Sequence, residues 1–143
     1  MTSIRLHFYC YTHLPLSHTE SINLGNNEFT GSIPAEVGQL NRLEYLSVNN
    51  NNLQGPVPMN IGLLTSLKTL KANSNKLTGE VPASISNMIN LKSLQLYEND
   101  LSGVFPESVI QLQNLGKHSK NKYFCVFLSF EQNIVILTRC YII

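Results

Sequence analysis

Three residue types recur in this chain at one fixed interval, and that interval limits what it can fold into. Pro34, Pro58, Pro82 and Pro106 are 24 residues apart at every step, as are Gly31, Gly55, Gly79 and Gly103, and Asn27, Asn51, Asn75 and Asn99. Apolar columns keep the same register: Ile22, Leu46, Leu70, Leu94; Leu24, Val48, Ala72, Leu96; Phe29, Leu53, Leu77, Leu101; Ile33, Val57, Val81, Phe105. Further columns run through Val37, Ile61, Ile85, Val109 and through Leu16, Leu40, Leu64, Met88, Leu112. A unit this short cannot bury its own apolar residues. Only a stack of units gives those columns a continuous core, and four in a row exceed the minimum of about three that such stacks need.

Within each unit, elementary chemistry assigns parts to the consensus L-x-x-L-x-L-x-x-N-x-L-x-G-x-[IV]-P-x-x-[IV]-x-x-L. The alternation in L-x-L predicts a short strand with one buried face. The Asn that follows stands where the chain leaves the strand, and its amide can serve backbone groups stranded by the bend. Repeated in each unit, Asn27, Asn51, Asn75 and Asn99 should form a ladder. The Gly allows a backbone conformation or a close approach that a Cβ would forbid, and the Pro fixes φ and ends local pairing. The return segment should be irregular or a short helical turn. Strands on one side and bulkier returns on the other predict an arc with a parallel β-sheet on its concave face. The repeat is lost after Leu115, where the same offset puts His118 and Lys120 at apolar positions and Tyr123 at the Asn position. The chain therefore divides into a non-repeat segment at residues 1–15, a repeat domain at 16–115 and an apolar tail at 116–143.

The stretch N-x-F-T-G-S-I-P-A-E-V-G-Q-L at residues 27–40, with N-K-L-T-G-E-V-P-A-S-I at 75–85, resembles the plant-specific leucine-rich repeat of receptor-like kinases and receptor-like proteins. The resemblance implies an α/β-type solenoid, a right-handed arc of four 24-residue repeats. It also implies an extracellular module that binds a protein or peptide ligand and a co-receptor, at the plasma membrane. Contact with the membrane is expected only through parts of a parent receptor that this chain lacks. A kinase domain would be one such part.

Composition and motif inventory narrow the chemistry. With a formal net charge of +1 and only 13% charged residues, nothing favours nucleic acid or an anionic membrane as the main partner. Asp100 is the only aspartate, so a kinase catalytic centre, which needs two, is excluded, and no phosphate loop, nucleophile elbow or zinc-protease motif occurs. An enzyme is not expected, nor is a cofactor. His7, Cys10, His13 and His18 have metal-like residue types at short spacing, but no pair of cysteines anchors them, and an ordinary terminus is the preferred reading. Cys10, Cys125 and Cys140 are too few for a disulfide framework. Arg5, His7, Thr12, His13 and Pro15 break up any signal-peptide core, and Glu131, Gln132, Asn133 and Arg139 interrupt the apolar run at 123–143. That tail reads either as a hairpin cap or, preferentially, as unrelated sequence beyond a truncated receptor reading frame.

Binding remains as the expected role. Side chains beside the buried strand residues project from the concave face, because a strand alternates. They form three columns: Ser21, Tyr45, Thr69, Ser93; Asn23, Ser47, Lys71, Gln95; and Gly25, Asn49, Asn73, Tyr97. Tyr45 and Tyr97 are the natural anchors, since each can bury area and keep a hydrogen bond. The competing readings are a stand-alone secreted inhibitor or defence protein acting on a cell-wall-degrading enzyme, and a non-functional truncated product.

Overall fold

The computed structural model of the chain describes residues 18–112. The N-terminal segment 1–15, the tail 116–143 with its hairpin or read-through alternatives, and all three cysteines lie outside the described residues. In the described part every repeat closes one turn of a solenoid. Its first strands are β1 (Ser21–Asn23), β3 (Tyr45–Ser47), β5 (Thr69–Lys71) and β7 (Ser93–Gln95). They form one parallel sheet in the order β1-β3-β5-β7. The register is the sequence period itself: Ile22 faces Leu46, Leu46 faces Leu70 and Leu70 faces Leu94. Equivalent residues thus lie side by side, and each column of the sequence becomes a physical row.

The return segments follow from the prolines. Pro34, Pro58, Pro82 and Pro106 sit in extended conformation at the start of four 3-10 helices, Ala35–Gln39, Met59–Leu63, Ala83–Asn87 and Glu107–Gln111. Each proline carbonyl accepts the first helical bond, as in Ile61 N to Pro58 O at 3.0 Å. Five residues of tight helix, too short to be stable alone, turn the chain back at low cost in length. They bury one apolar residue apiece in the core, such as Ile61 and Ile85. Successive helices approach so closely that a Cβ on Gly62 would collide with the Ser84 carbonyl oxygen, so this glycine is required by space.

Between strand and helix the structure differs from the expectation of an irregular return. A second parallel sheet runs through β2 (Thr30–Gly31), β4 (Asn52–Pro56), β6 (Lys76–Glu80) and β8 (Asp100–Ser102), in the order β2-β4-β6-β8. The reason is legible in β4, where Asn52, Gln54 and Pro56 are exposed, Leu53 is buried and Gly55 is half-buried. That is the period of a half-buried strand. Here Gln54 faces Lys76 and Thr78 faces Asp100, an offset of 22 and not 24. Because the two-residue stagger is even, it keeps inward side chains inward. Gly55 has a φ of +78° and a hypothetical Cβ there meets nothing nearer than 3.6 Å. Its conformation, not crowding, demands glycine.

The core is one continuous cluster running the length of the stack. Leu43, Leu67 and Leu91 form one fully buried row, and Leu46, Leu70 and Leu94 another. The first repeat is less complete: Ile22, Leu24 and Phe29 are only partly buried. Thr19 stands where later repeats have leucine.

Each of the three later ladder asparagines joins its own bend to two segments of the repeat before it. Asn75 Nδ2 donates to Val48 O at 3.0 Å, and to Ala72 O and Asn73 O at 3.2 Å, while its Oδ1 accepts from Leu53 N at 3.0 Å. Asn51 and Asn99 repeat the pattern, accepting from Phe29 N and Leu77 N. Asn27 bonds Leu24 O and Gly25 O within its own repeat and is exposed. Removing an internal rung leaves several part-buried carbonyls and an amide without their partner.

Two outcomes are expected from denaturant unfolding of the full chain. Asn75→Ala should destabilise by about 2–4 kcal/mol, and Asn27→Ala by about 1 kcal/mol or less. Equal losses at the two positions would contradict the ladder account. Gly55→Ala should cost about 1–2 kcal/mol through its left-handed backbone alone, with no packing defect.

Candidate functional site

The concave sheet assembles side chains from all four repeats. Strand pairing sets Ser21, Tyr45, Thr69 and Ser93 in one row, and Asn23, Ser47, Lys71 and Gln95 in the next. Backbone bonds carry the alignment past the strand ends: Asn26 N donates to Asn49 O, Asn50 N to Asn73 O and Ser74 N to Tyr97 O, at 2.9–3.0 Å. The third row, Gly25, Asn49, Asn73 and Tyr97, is therefore also in step.

These positions do not offer equal surface. Ser47 and Asn73 are buried, at 2% and 5% exposure, and so present almost nothing to a partner. The Ser47 hydroxyl donates to Asn49 Oδ1 at 2.5 Å, and a Cβ on Gly25 would collide with that same Asn49 oxygen. A small residue at Gly25 thus makes room for Asn49 to fold over its own repeat. Asn73 Nδ2 donates to the Ser74 hydroxyl at 3.0 Å, while its Oδ1 is buried with no partner among the described residues. Alternation along a strand assigns these two residues to the face, but neighbouring side chains cover them. Tyr45, Thr69, Lys71, Ser93, Gln95, Tyr97 and Asn49 are half-buried, and Asn23 is exposed.

The charge on this side is sparse and organised. The Lys71 ammonium lies 5.9 Å from the centroid of the Tyr45 ring, within cation–π range. Just before the strands runs the row Glu20, Glu44, Lys68, Lys92, acidic in the first two repeats and basic in the last two. Lys68 and Glu44 form an ion pair at 2.6 Å. Being about half exposed on both sides, that pair contributes little to stability.

Sequence reasoning missed a second ladder beside the face. Asn26, Asn50, Ser74 and Glu98 all adopt positive φ, between 52° and 58°. Asn50 Nδ2 donates to Asn26 Oδ1 at 2.7 Å, and the Ser74 hydroxyl donates to Glu98 Oε2 at 2.5 Å. The available signal was the doubled asparagine of the first two repeats, since Asn tolerates this conformation better than other side-chain-bearing residues. A shallow depression lined by Gly31, Gln54, Gly55, Lys76, Thr78 and Asp100 lies on the second sheet, away from the concave rows.

Among the described residues no group of three or more His, Cys, Asp or Glu is placed to hold a metal ion. His7, Cys10 and His13 lie outside them. No described helix is long and apolar enough to cross a membrane.

Comparison with known proteins identifies the architecture. The family model described as Leucine Rich Repeat matches residues 18–40, 42–64, 66–88 and 90–112. No curated protein matches the chain. Among solved structures, the plant peptide hormone receptor RGFR1 in complex with RGF2 is 42% identical over 66% of this chain and 15% of its own, with a TM-score of 0.66. The Arabidopsis receptor kinase HAESA, in complex with the peptide hormone IDA and the co-receptor SERK1, is 34% identical over 67% of this chain and 16% of its own, with a TM-score of 0.65. The ectodomain of the receptor kinase SOBIR1 from Arabidopsis thaliana is 32% identical over 66% of this chain and 52% of its own, with a TM-score of 0.62. The chain spans about one sixth of the two hormone-receptor chains and about half of the SOBIR1 ectodomain. Of these, SOBIR1 is seen as its leucine-rich repeat ectodomain, and RGFR1 and HAESA as complexes with RGF2 and with IDA and SERK1.

The side chains that shape the face separate from those that hold it up. Tyr45→Ala, at a half-buried position outside the core, should lower the melting temperature by no more than a few degrees. Leu70→Ala, in the adjacent strand and fully buried, should cost about 2–5 kcal/mol. A thermal scan of the two variants reads the difference.

Proposed function

The chain belongs to the leucine-rich repeat family, and from that premise we propose that it is the ligand-binding part of a plant cell-surface receptor, holding a peptide along its concave face. The observation that supports this most strongly is a division of labour across each strand. Leu46, Leu70 and Leu94 are bound to the core, whereas Tyr45, Thr69, Ser93, Lys71, Gln95 and Tyr97 vary in size and chemistry from repeat to repeat and remain accessible. Such a surface can be specialised without disturbing the stack. An extended peptide suits it, because aligned rows offer pockets at a regular spacing of about 4.8 Å from strand to strand.

The likeness to RGFR1 with its bound RGF2 and to HAESA with IDA and SERK1 supports a peptide ligand and a co-receptor as partners. It also supports a place on the extracellular side of the plasma membrane. Asn49 and Asn23 border the anchors and supply adaptable polar contacts. Ser47 and Asn73 act beneath the surface, shaping it without touching a ligand.

The reading is tested with the full chain immobilised and a phage-displayed library of random linear peptides. Peptides selected on the wild type should lose affinity at least ~10-fold on Tyr97→Ala, at unchanged melting temperature, as truncation of an aromatic anchor does. Leu63→Ser, on an exposed side chain of the return segment, should leave affinity unchanged. Peptides insensitive to Tyr97→Ala and Tyr45→Ala but sensitive to Leu63→Ser would move the site to the opposite face and overturn the proposal.

A further inference from the structure

The three aligned rows of the concave face contain one formally charged side chain, Lys71. It sits on β5, in the third of four repeats, with Tyr45 one repeat before it and Tyr97 one repeat after. Its ammonium lies 5.9 Å from the centroid of the Tyr45 ring and forms no ion pair among the described residues. Among the described residues the ion pair on this side is Lys68 with Glu44, which neutralises both. Among the described residues on this side, those without an ion pair are Glu20 at the first repeat, the cations Lys71 and Lys92 in the third and fourth, and Glu98 beyond Tyr97. At the far edge, beyond Tyr97, the Glu98 carboxylate accepts the Ser74 hydroxyl.

A half-buried lysine beside the Tyr45 ring and in register with Gln95, with no ion pair among the described residues, is complementary to an anion. We propose that the peptide held on this face carries an acidic side chain, whose carboxylate seats on the Lys71 ammonium in the span between Tyr45 and Tyr97. This rests on the binding role proposed above and adds the chemistry of the ligand. The tyrosines supply most of the contact area, and Lys71 selects which peptides use it. Pairing with a carboxylate exchanges water around the ammonium for an opposite charge, and the Tyr45 ring adds a favourable cation–π contact beside it. A lysine or arginine at the same place in the ligand would meet Lys71 head-on, so discrimination comes from repulsion as well as attraction. Lys92, in the next repeat, adds to the positive field and steers the same end of the ligand.

The test uses the full chain and the same peptide library. Peptides selected on the wild type should share an Asp or Glu at one internal position. For a synthetic copy of such a peptide, Lys71→Met should weaken binding at least ~10-fold and Lys71→Arg should preserve it, both at wild-type melting temperature. A fresh selection on Lys71→Glu should replace the acidic position with Lys or Arg. Selected peptides that depend on Tyr97 but show no acidic preference, or that ignore Lys71→Met, would overturn this inference and leave the binding role standing. Affinity lost on amidating the peptide C-terminus, but not on replacing the internal acid, would also overturn it. Failure to enrich any peptide over a chain carrying both Tyr45→Ala and Tyr97→Ala would overturn both.

Discussion

An asparagine amide that bonds four backbone groups from neighbouring turns of chain is the constraint on which the rest of this molecule depends. In Asn75 the donor side closes the bend of its own repeat and reaches back to Val48 O, while the acceptor side takes Leu53 N. No apolar side chain can do both, and a lone bend could not afford so many buried polar groups unpaired. Because each internal rung joins one repeat to the one before, the bond also fixes the spacing between repeats. The leucine rows provide the free energy of stacking, and the asparagines decide the register in which it is gained.

Two registers coexist as a result. The concave sheet pairs residues 24 apart, in phase with the sequence, whereas the second sheet pairs residues 22 apart. The Oδ1 bonds also span 22 residues, from Leu53 to Asn75 and from Leu77 to Asn99. The asparagine therefore stands at the point where the chain passes from one register to the other. In-phase pairing on the concave side has the functional consequence, since it gathers equivalent positions into rows that can be varied one by one.

Much of this was legible in the residues. The buried columns, the asparagine ladder, the four short returns and the parallel concave sheet all follow from a period that holds without insertion. The second sheet did not, because glycine and proline in Gln54–Gly55–Pro56 suggest a turn, while the alternation of Asn52, Leu53 and Gln54 is short enough to escape notice. The burial of Ser47 and Asn73 was also hidden. Alternation says which way a side chain points, but not whether Asn49 folds across its neighbour into the room left by Gly25. The positive φ at Ser74 and Glu98 was not readable either, since neither residue favours it and only the stack imposes it. Ligand chemistry stands at the end of this chain of inference: a single cation in the rows carries information only once the rows are known to align.

Native-state hydrogen exchange on the full chain tests the ladder most directly. The amides of Leu53 and Leu77 lie outside any helix and bond to side-chain oxygens of the following repeat. The account predicts that they exchange as slowly as the amides of β3 and β5, and only through global unfolding. If they exchange quickly while β3 and β5 stay protected, the asparagines decorate a stack held in register by the leucines alone, and the central claim is wrong.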